Sequence, residues 1–107
     1  MSKILKFGGT SMGSVEGLEN VVKIIGENQS KNITQAVVCS AMSQVTNKLI
    51  SIGKIASEGQ TEEAYKLLDV IMKQHFDVAK HFDVEAEFDE STKKLWNKLK
   101  VLIRGIT

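Results

Sequence analysis

The sequence predicts an α/β chain with a mainly parallel sheet and a helix-rich second half. Three observations carry this reading. Lys3 to Phe7 is short, β-compatible and cut off by Gly8-Gly9, so it reads as a strand ending in a glycine turn. Ala36-Val37-Val38-Cys39 is continuously apolar and β-branched at its centre, as expected of a strand covered on both faces in a parallel sheet. A helical stripe lies between the two, and the order strand, helix, strand implies a right-handed crossover.

After a polar loop from Thr10 to Gly13, apolar residues at Val15, Leu18, Val21, Val22 and Ile25 mark the first helix. Gly13 or Ser14 is its N-cap, Glu16 sits in its first turn, and it should end near Gly26 to Asn28. Beyond the second strand, the polar stretch Ser40 to Thr46 leads into Leu49, Ile50, Ile52 and Ile55, a helix closing at Gly59. Thr61 starts the next, with Glu62 and Glu63 at its positive end and a stripe of Ala64, Leu67, Leu68, Ile71, Met72 and His75, running to about His81. Asp83 to Glu90 holds five acids and no base and reads as a solvated connection. Ser91 or Thr92 then caps a last helix carrying Leu95, Leu99, Leu102, Ile103 and Ile106 on one side. No internal repeat or low-complexity segment is evident.

At 107 residues, 42% hydrophobic and 25% charged, the chain suits one soluble globular domain with a core. A net charge of +1 gives no global electrostatic reason for a nucleic-acid or anionic-membrane partner. No apolar run approaches the roughly 20 residues that span a bilayer, and no signal-peptide core precedes the first strand, so a cytoplasmic protein is expected. The lone Cys39 has no disulfide partner or metal-ligand spacing, which fits a reducing compartment.

Two strands among four helices bury too little to hold a layered α/β arrangement. More strands are therefore expected in a longer parent chain, or a covering surface from another copy. The chain also stops just past an expected helix end at Gly105.

The segment Lys6-Phe7-Gly8-Gly9-Thr10-Ser11 joins a strand to a helix, where backbone N–H groups can converge on an anion such as phosphate. Gly8 and Gly9 put no Cβ in the way of an oxyanion, Thr10 and Ser11 add hydroxyl donors, and the Lys6 ammonium can neutralise phosphoryl oxygens. Gly8 to Gly13 has the G-x-x-x-x-G spacing, but Ser14-Val15 follows where a nucleotide loop has Lys-Ser or Lys-Thr. On spacing alone, a tight turn beside a solvated lysine remains an equal alternative.

The literal string Leu5-Lys6-Phe7-Gly8-Gly9-Thr10-Ser11-Met12-Gly13 resembles the amino-terminal signature of aspartate kinases. Val37-Val38-Cys39-Ser40-Ala41-Met42 followed by Thr46-Asn47 is similar to that family's strand-to-loop segment, and Arg104-Gly105-Ile106 weakly resembles a stretch before its next substrate-binding helix. The resemblance runs in register from Lys3 to about Gly59 and loosely beyond. It implies a partial three-layer α/β/α amino-acid kinase fold, with residues 1–107 forming the amino-terminal part of the catalytic domain. The implied activity is transfer of the ATP γ-phosphoryl, with Mg2+, to the β-carboxylate of L-aspartate, the first step of lysine, threonine and methionine biosynthesis. Lys6 would contact the transferring phosphate as the catalytic residue, Gly8 and Gly9 would line the phosphate site with Thr10 and Ser11 in the same motif, and Ser40 and Thr46 would contact aspartate. A homo-oligomer is expected. A substrate-binding glutamate, an arginine for the substrate carboxylate, the nucleotide-binding half and regulatory domains are expected beyond Thr107, so the fragment alone is expected to be inactive. Gln44 departs from the pattern, standing where several relatives have glycine.

Ser40 follows a strand at the carboxyl edge of a parallel sheet, where α/β folds bind ligands, and Lys6 ends on the same edge. His75 and His81 read as packed or capping residues, Trp96 as partly buried beside the last stripe, and Arg104 as a helix cap. The acids from Asp83 to Glu90 lack the spacing of a calcium loop, and no residue is assigned to a metal. Two rivals stand beside the kinase reading: another amino-acid kinase of the same fold, and a non-catalytic substrate-binding or assembly module.

Overall fold

Alternate residues of the first strand differ in burial: Leu5 and Phe7 are half-buried while Ile4 and Lys6 stay exposed, the period of two that a pleated sheet imposes. The computed structural model describes residues 1–106, in the order β1 (Ser2–Phe7), α1 (Gly9–Met12), α2 (Val15–Ser30), β2 (Thr34–Cys39), α3 (Val45–Ser57), α4 (Thr61–His81) and α5 (Glu85–Ile106). They divide into two compact units, one spanning Met1–Gln44 and the other beginning at Val45.

In the first unit β1 and β2 pair in parallel, from Ser2 opposite Thr34 to Phe7 opposite Cys39. The chain is mixed α/β with a small parallel sheet and many helices, as the sequence predicts. Ser14 caps α2, its Oγ accepting the Gly17 N–H at 3.0 Å, and Glu16 lies in the first turn. The helix runs through Gly26 to Ser30, past the expected stop, because its terminus forms two residues later. Asn32, left-handed at φ 54°, closes it with Ile33 N–H donating to Asn28 O and Asn32 N–H to Gln29 O, both at 3.0 Å. The inward line of α2 is Leu18, Val21, Ile25 and Asn28; Val22, expected on that stripe, is 55% exposed.

Asn28 is a buried polar side chain. Its Nδ2 donates to Gln35 Oε1 at 3.2 Å, and Gln35 Nε2 donates to the Ile25 carbonyl at 2.9 Å, so the relay ties α2 to β2. The opposite side of the sheet is open. Val38 is 54% exposed and Ile4 82%, so β2 is not covered on both faces as its apolar run implies. A continuous apolar run records suitability for burial, and two strands with one packed helix cover a single face.

In the second unit α3, α4 and α5 pack on one another around Ile52, Ala56, Ala64, Leu68, Ile71 and Ile103. Gly59, at φ 80°, ends α3 where expected, and Asp83, at φ 58°, ends α4 with the same pair of backbone bonds. The stretch from Asp83 to Glu90 is therefore not a solvated connection. Asp83 terminates one helix and Glu85 begins the next, placing Glu85 and Glu87 at its positive end. Ser91 and Thr92 are not caps either: both hydroxyls donate back to the Phe88 carbonyl, at 3.1 and 2.7 Å, as they do inside helices. With the helix starting earlier, its inward line becomes Phe88, Thr92, Trp96, Leu99 and Ile103, while Leu95, Leu102 and Ile106 are each more than half exposed.

Candidate active site

Two parallel strands bring their carboxyl ends to one edge, and both motif blocks end there. Lys6 lies in register with Val38 and Phe7 with Cys39. One step further, the Ser40 N–H donates to the Phe7 carbonyl at 3.0 Å, extending the ladder into the loop. Lys6 is exposed and makes no ion pair among the described residues, so its ammonium is available to an anion at this edge.

The turn after β1 departs from the expected loop. Gly9–Met12 forms a single helical turn, with Met12 N–H donating to Gly8 O at 3.0 Å. Gly8 is its N-cap, extended at φ −85° and ψ −171°, and offers no side chain to the first amides, which lack intrahelical partners. Thr10 is exposed and Ser11 half-buried on this turn. Polar, short and bounded by glycines, the segment carries no apolar period from which a helix can be read.

The glycines of this region divide into two kinds. A Cβ added at Gly8 or Gly9 would meet nothing within 4 Å, and neither residue has a positive φ. Neither backbone conformation nor packing within the chain calls for glycine at these positions, and the space in front of the turn is clear. At Gly13 an added Cβ would stand 2.7 Å from the Gly9 carbonyl oxygen, and at Gly17 it would overlap the Ser11 carbonyl oxygen and lie 3.0 Å from its carbon. Glycine inside a helix is about 1 kcal/mol poorer than alanine, and of the two in α2 Gly17 has this close backbone contact while Gly26 meets nothing within 4 Å.

Ser40 is exposed and its hydroxyl donates to the Ala41 carbonyl at 2.9 Å, leaving its oxygen lone pairs for an external donor. Lys6, Gly8, Gly9, Thr10, Ser11 and Ser40 all belong to the first unit, whereas Thr46 is an exposed residue in the first turn of α3 in the second. Gln44 has φ 63°, the left-handed region that glycine enters freely. His75 is packed, as its place on the stripe suggests: Nδ1 hydrogen-bonds the Ile71 carbonyl at 2.8 Å, and the ring centroid lies 5.8 Å from Trp96, edge-on.

Residues 1–97 match the sequence profile of the amino acid kinase family. The chain belongs to that family. Among similar proteins, the aspartate kinase of Pseudomonas fluorescens (strain SBW25) is 42% identical over 69 residues, 64% of this chain and 16% of that protein. The bifunctional aspartokinase/homoserine dehydrogenase of Buchnera aphidicola subsp. Acyrthosiphon pisum (strain APS) is 36% identical over 109 aligned residues, covering 97% of this chain and 13% of its own length. Aspartokinase 2 of Bacillus subtilis (strain 168) is 35% identical over 65 residues, 61% of this chain and 16% of that protein. This amino acid kinase chain thus spans between 13% and 16% of these three relatives. Among the described residues, no helix is long and apolar enough to cross a membrane.

Proposed function

We propose that residues 1–107 are the amino-terminal part of an aspartate kinase catalytic domain, whose parent phosphorylates the β-carboxylate of L-aspartate with ATP to give 4-phospho-L-aspartate. The observation that carries the reading is the meeting of both motif blocks at one sheet edge, where Ser40 N–H bonds Phe7 O beside the clear space at Gly8 and Gly9. Similarity to three proteins named as aspartate kinases or aspartokinases supports the acceptor.

In the proposed reaction a carboxylate oxygen attacks the γ-phosphorus in line, the bond to the β,γ-bridging oxygen breaks, and ADP leaves. The nucleophile needs no base, because a carboxyl group with a pKa of about 4 is already ionised at neutral pH. Positioning and charge compensation are what remain for the protein to supply. Lys6 provides the charge, Gly8, Gly9, Thr10 and Ser11 receive the phosphates, and Ser40 and Thr46 orient aspartate. Among the described residues no group of three or more His, Cys, Asp or Glu side chains is placed to hold a metal ion. Mg2+ would be carried on the nucleotide phosphates. The nucleotide-binding half and regulatory domains would lie in the longer parent, a cytoplasmic homo-oligomer, and the exposed Ile4 and Val38 support a further covering surface on this sheet.

Replacing Lys6 by Met in the full-length parent tests the assignment through the hydroxamate formed when hydroxylamine traps aspartyl phosphate. Loss of one charge-stabilising donor is expected to lower kcat by about 10²- to 10³-fold. Near-normal turnover would remove Lys6 from the mechanism.

A further inference from the structure

We infer that Gly17 is a positioning residue for the Gly8 to Ser11 turn: the missing side chain lets α2 close on the Ser11 carbonyl and so fixes α1 against the strand edge. This rests on the phosphate-turn reading above and adds a residue outside the motif. A Cβ at Gly17 would run into the Ser11 carbonyl oxygen, stand 3.0 Å from its carbonyl carbon and 3.3 Å from its Cα. All three are backbone atoms, which cannot swing aside as a flexible side chain can. Accommodating even a methyl group therefore requires α1 to move away from α2.

The two helices are otherwise joined by the short link Gly13-Ser14, whose side-chain contact is spent on capping α2: Ser14 Oγ accepts the N–H of Gly17 itself. One residue thus both receives the cap of α2 and seats α1. Gly13 is the C-cap of α1, and its absent Cβ, 2.7 Å from the Gly9 carbonyl oxygen, concerns the closure of that turn on itself. Glycines with open space, 8 and 9, stand in the turn itself, and the close-packed pair, 13 and 17, follows it in sequence. Gly26, in the same helix with nothing within 4 Å of its Cβ position, has no such role.

The test pairs amide NMR spectra of the 107-residue chain with calorimetry of MgATP binding to the full-length parent, comparing wild type with Gly17→Ala and Gly26→Ala. Gly17→Ala should move the amide resonances of Gly9 to Met12, leave those of β1 and β2 in place, and weaken ATP binding at least about tenfold, a difference of about 1.4 kcal/mol. Gly26→Ala should change none of these. Unmoved turn resonances with wild-type affinity in Gly17→Ala overturn the proposal, as does loss of the β1–β2 sheet, since the glycine would then support the whole unit. A wild-type parent that takes up no MgATP counts against the phosphate-turn reading, and the proposal then stands or falls on the turn resonances alone.

Discussion

The amide of Ser40 donates a 3.0 Å hydrogen bond to the carbonyl of Phe7, joining the loop after β2 to the residue before the glycine turn. The bond uses the backbone of Ser40 and leaves its hydroxyl at the surface, where it donates to the Ala41 carbonyl. Backbone and side chain therefore have separable duties at this position. Ser40→Ala keeps the ladder and removes only the hydroxyl. In the full-length parent it should raise the KM for aspartate about tenfold or more, the value of about 1.5–3 kcal/mol for a hydrogen bond to a charged group. The kcat and thermal midpoint should stay close to wild type. An unchanged KM would take the Ser40 hydroxyl out of substrate binding.

Gly8 allows stability and binding to be pulled apart. Its φ of −85° and ψ of −171° are open to alanine, and an added Cβ would touch nothing in the chain. Gly8→Ala should then leave the chain as stable as wild type or raise its stability by about 0.4–1 kcal/mol, because the unfolded chain loses freedom. The same methyl group would occupy the space through which a phosphate approaches the backbone, and ATP affinity should fall. Calorimetry of the full-length parent with MgATP, beside a urea melt of the chain, reads both effects. A variant that binds ATP like wild type shows that the clear space is not the phosphate site.

Legibility followed how directly each feature is written in local residue type. The strands at β1 and β2, the cap at Ser14 and the stop at Gly59 are legible because each is local: short apolar runs cut off by turn residues, a hydroxyl that accepts the first amides of a helix, and a glycine that enters the left-handed closure without steric cost. The stops at Asn32 and Asp83 use the same left-handed closure as Gly59 but are made by polar residues equally at home in loops: α2 runs two residues past its expected end, whereas α4 ends at His81 as expected and the start of α5 is what the acidic stretch conceals. The earlier start of α5 turns the expected stripe: Leu99 and Ile103 face inward as expected, whereas Leu95, Leu102 and Ile106 are exposed and Phe88, Thr92 and Trp96 take their place. At the site, the open space of Gly8 and Gly9 agrees with the reasoning from residue type, whereas the contact of Gly17 with Ser11 spans two elements and needs the fold to be seen.

The corrected face of α5 makes the last prediction quantitative. Leu68 of α4 is fully buried between helices, whereas Leu102 of α5 is 54% exposed although both belong to stripes that read alike in sequence. Leu68→Ala removes buried methyl groups and leaves a cavity, and should cost about 2–5 kcal/mol. Leu102→Ala trims a side chain that already meets solvent and should stay within about 0.5 kcal/mol in the isolated chain. Urea unfolding followed by the fluorescence of Trp96, the only tryptophan, reports on this unit because the ring sits half-buried against His75. If the full-length parent covers the outer face of α5, Leu102→Ala should become costly there while Leu68→Ala keeps its cost. Comparing the two variants in chain and parent therefore separates residues that hold the three helices together from residues that meet the rest of the protein.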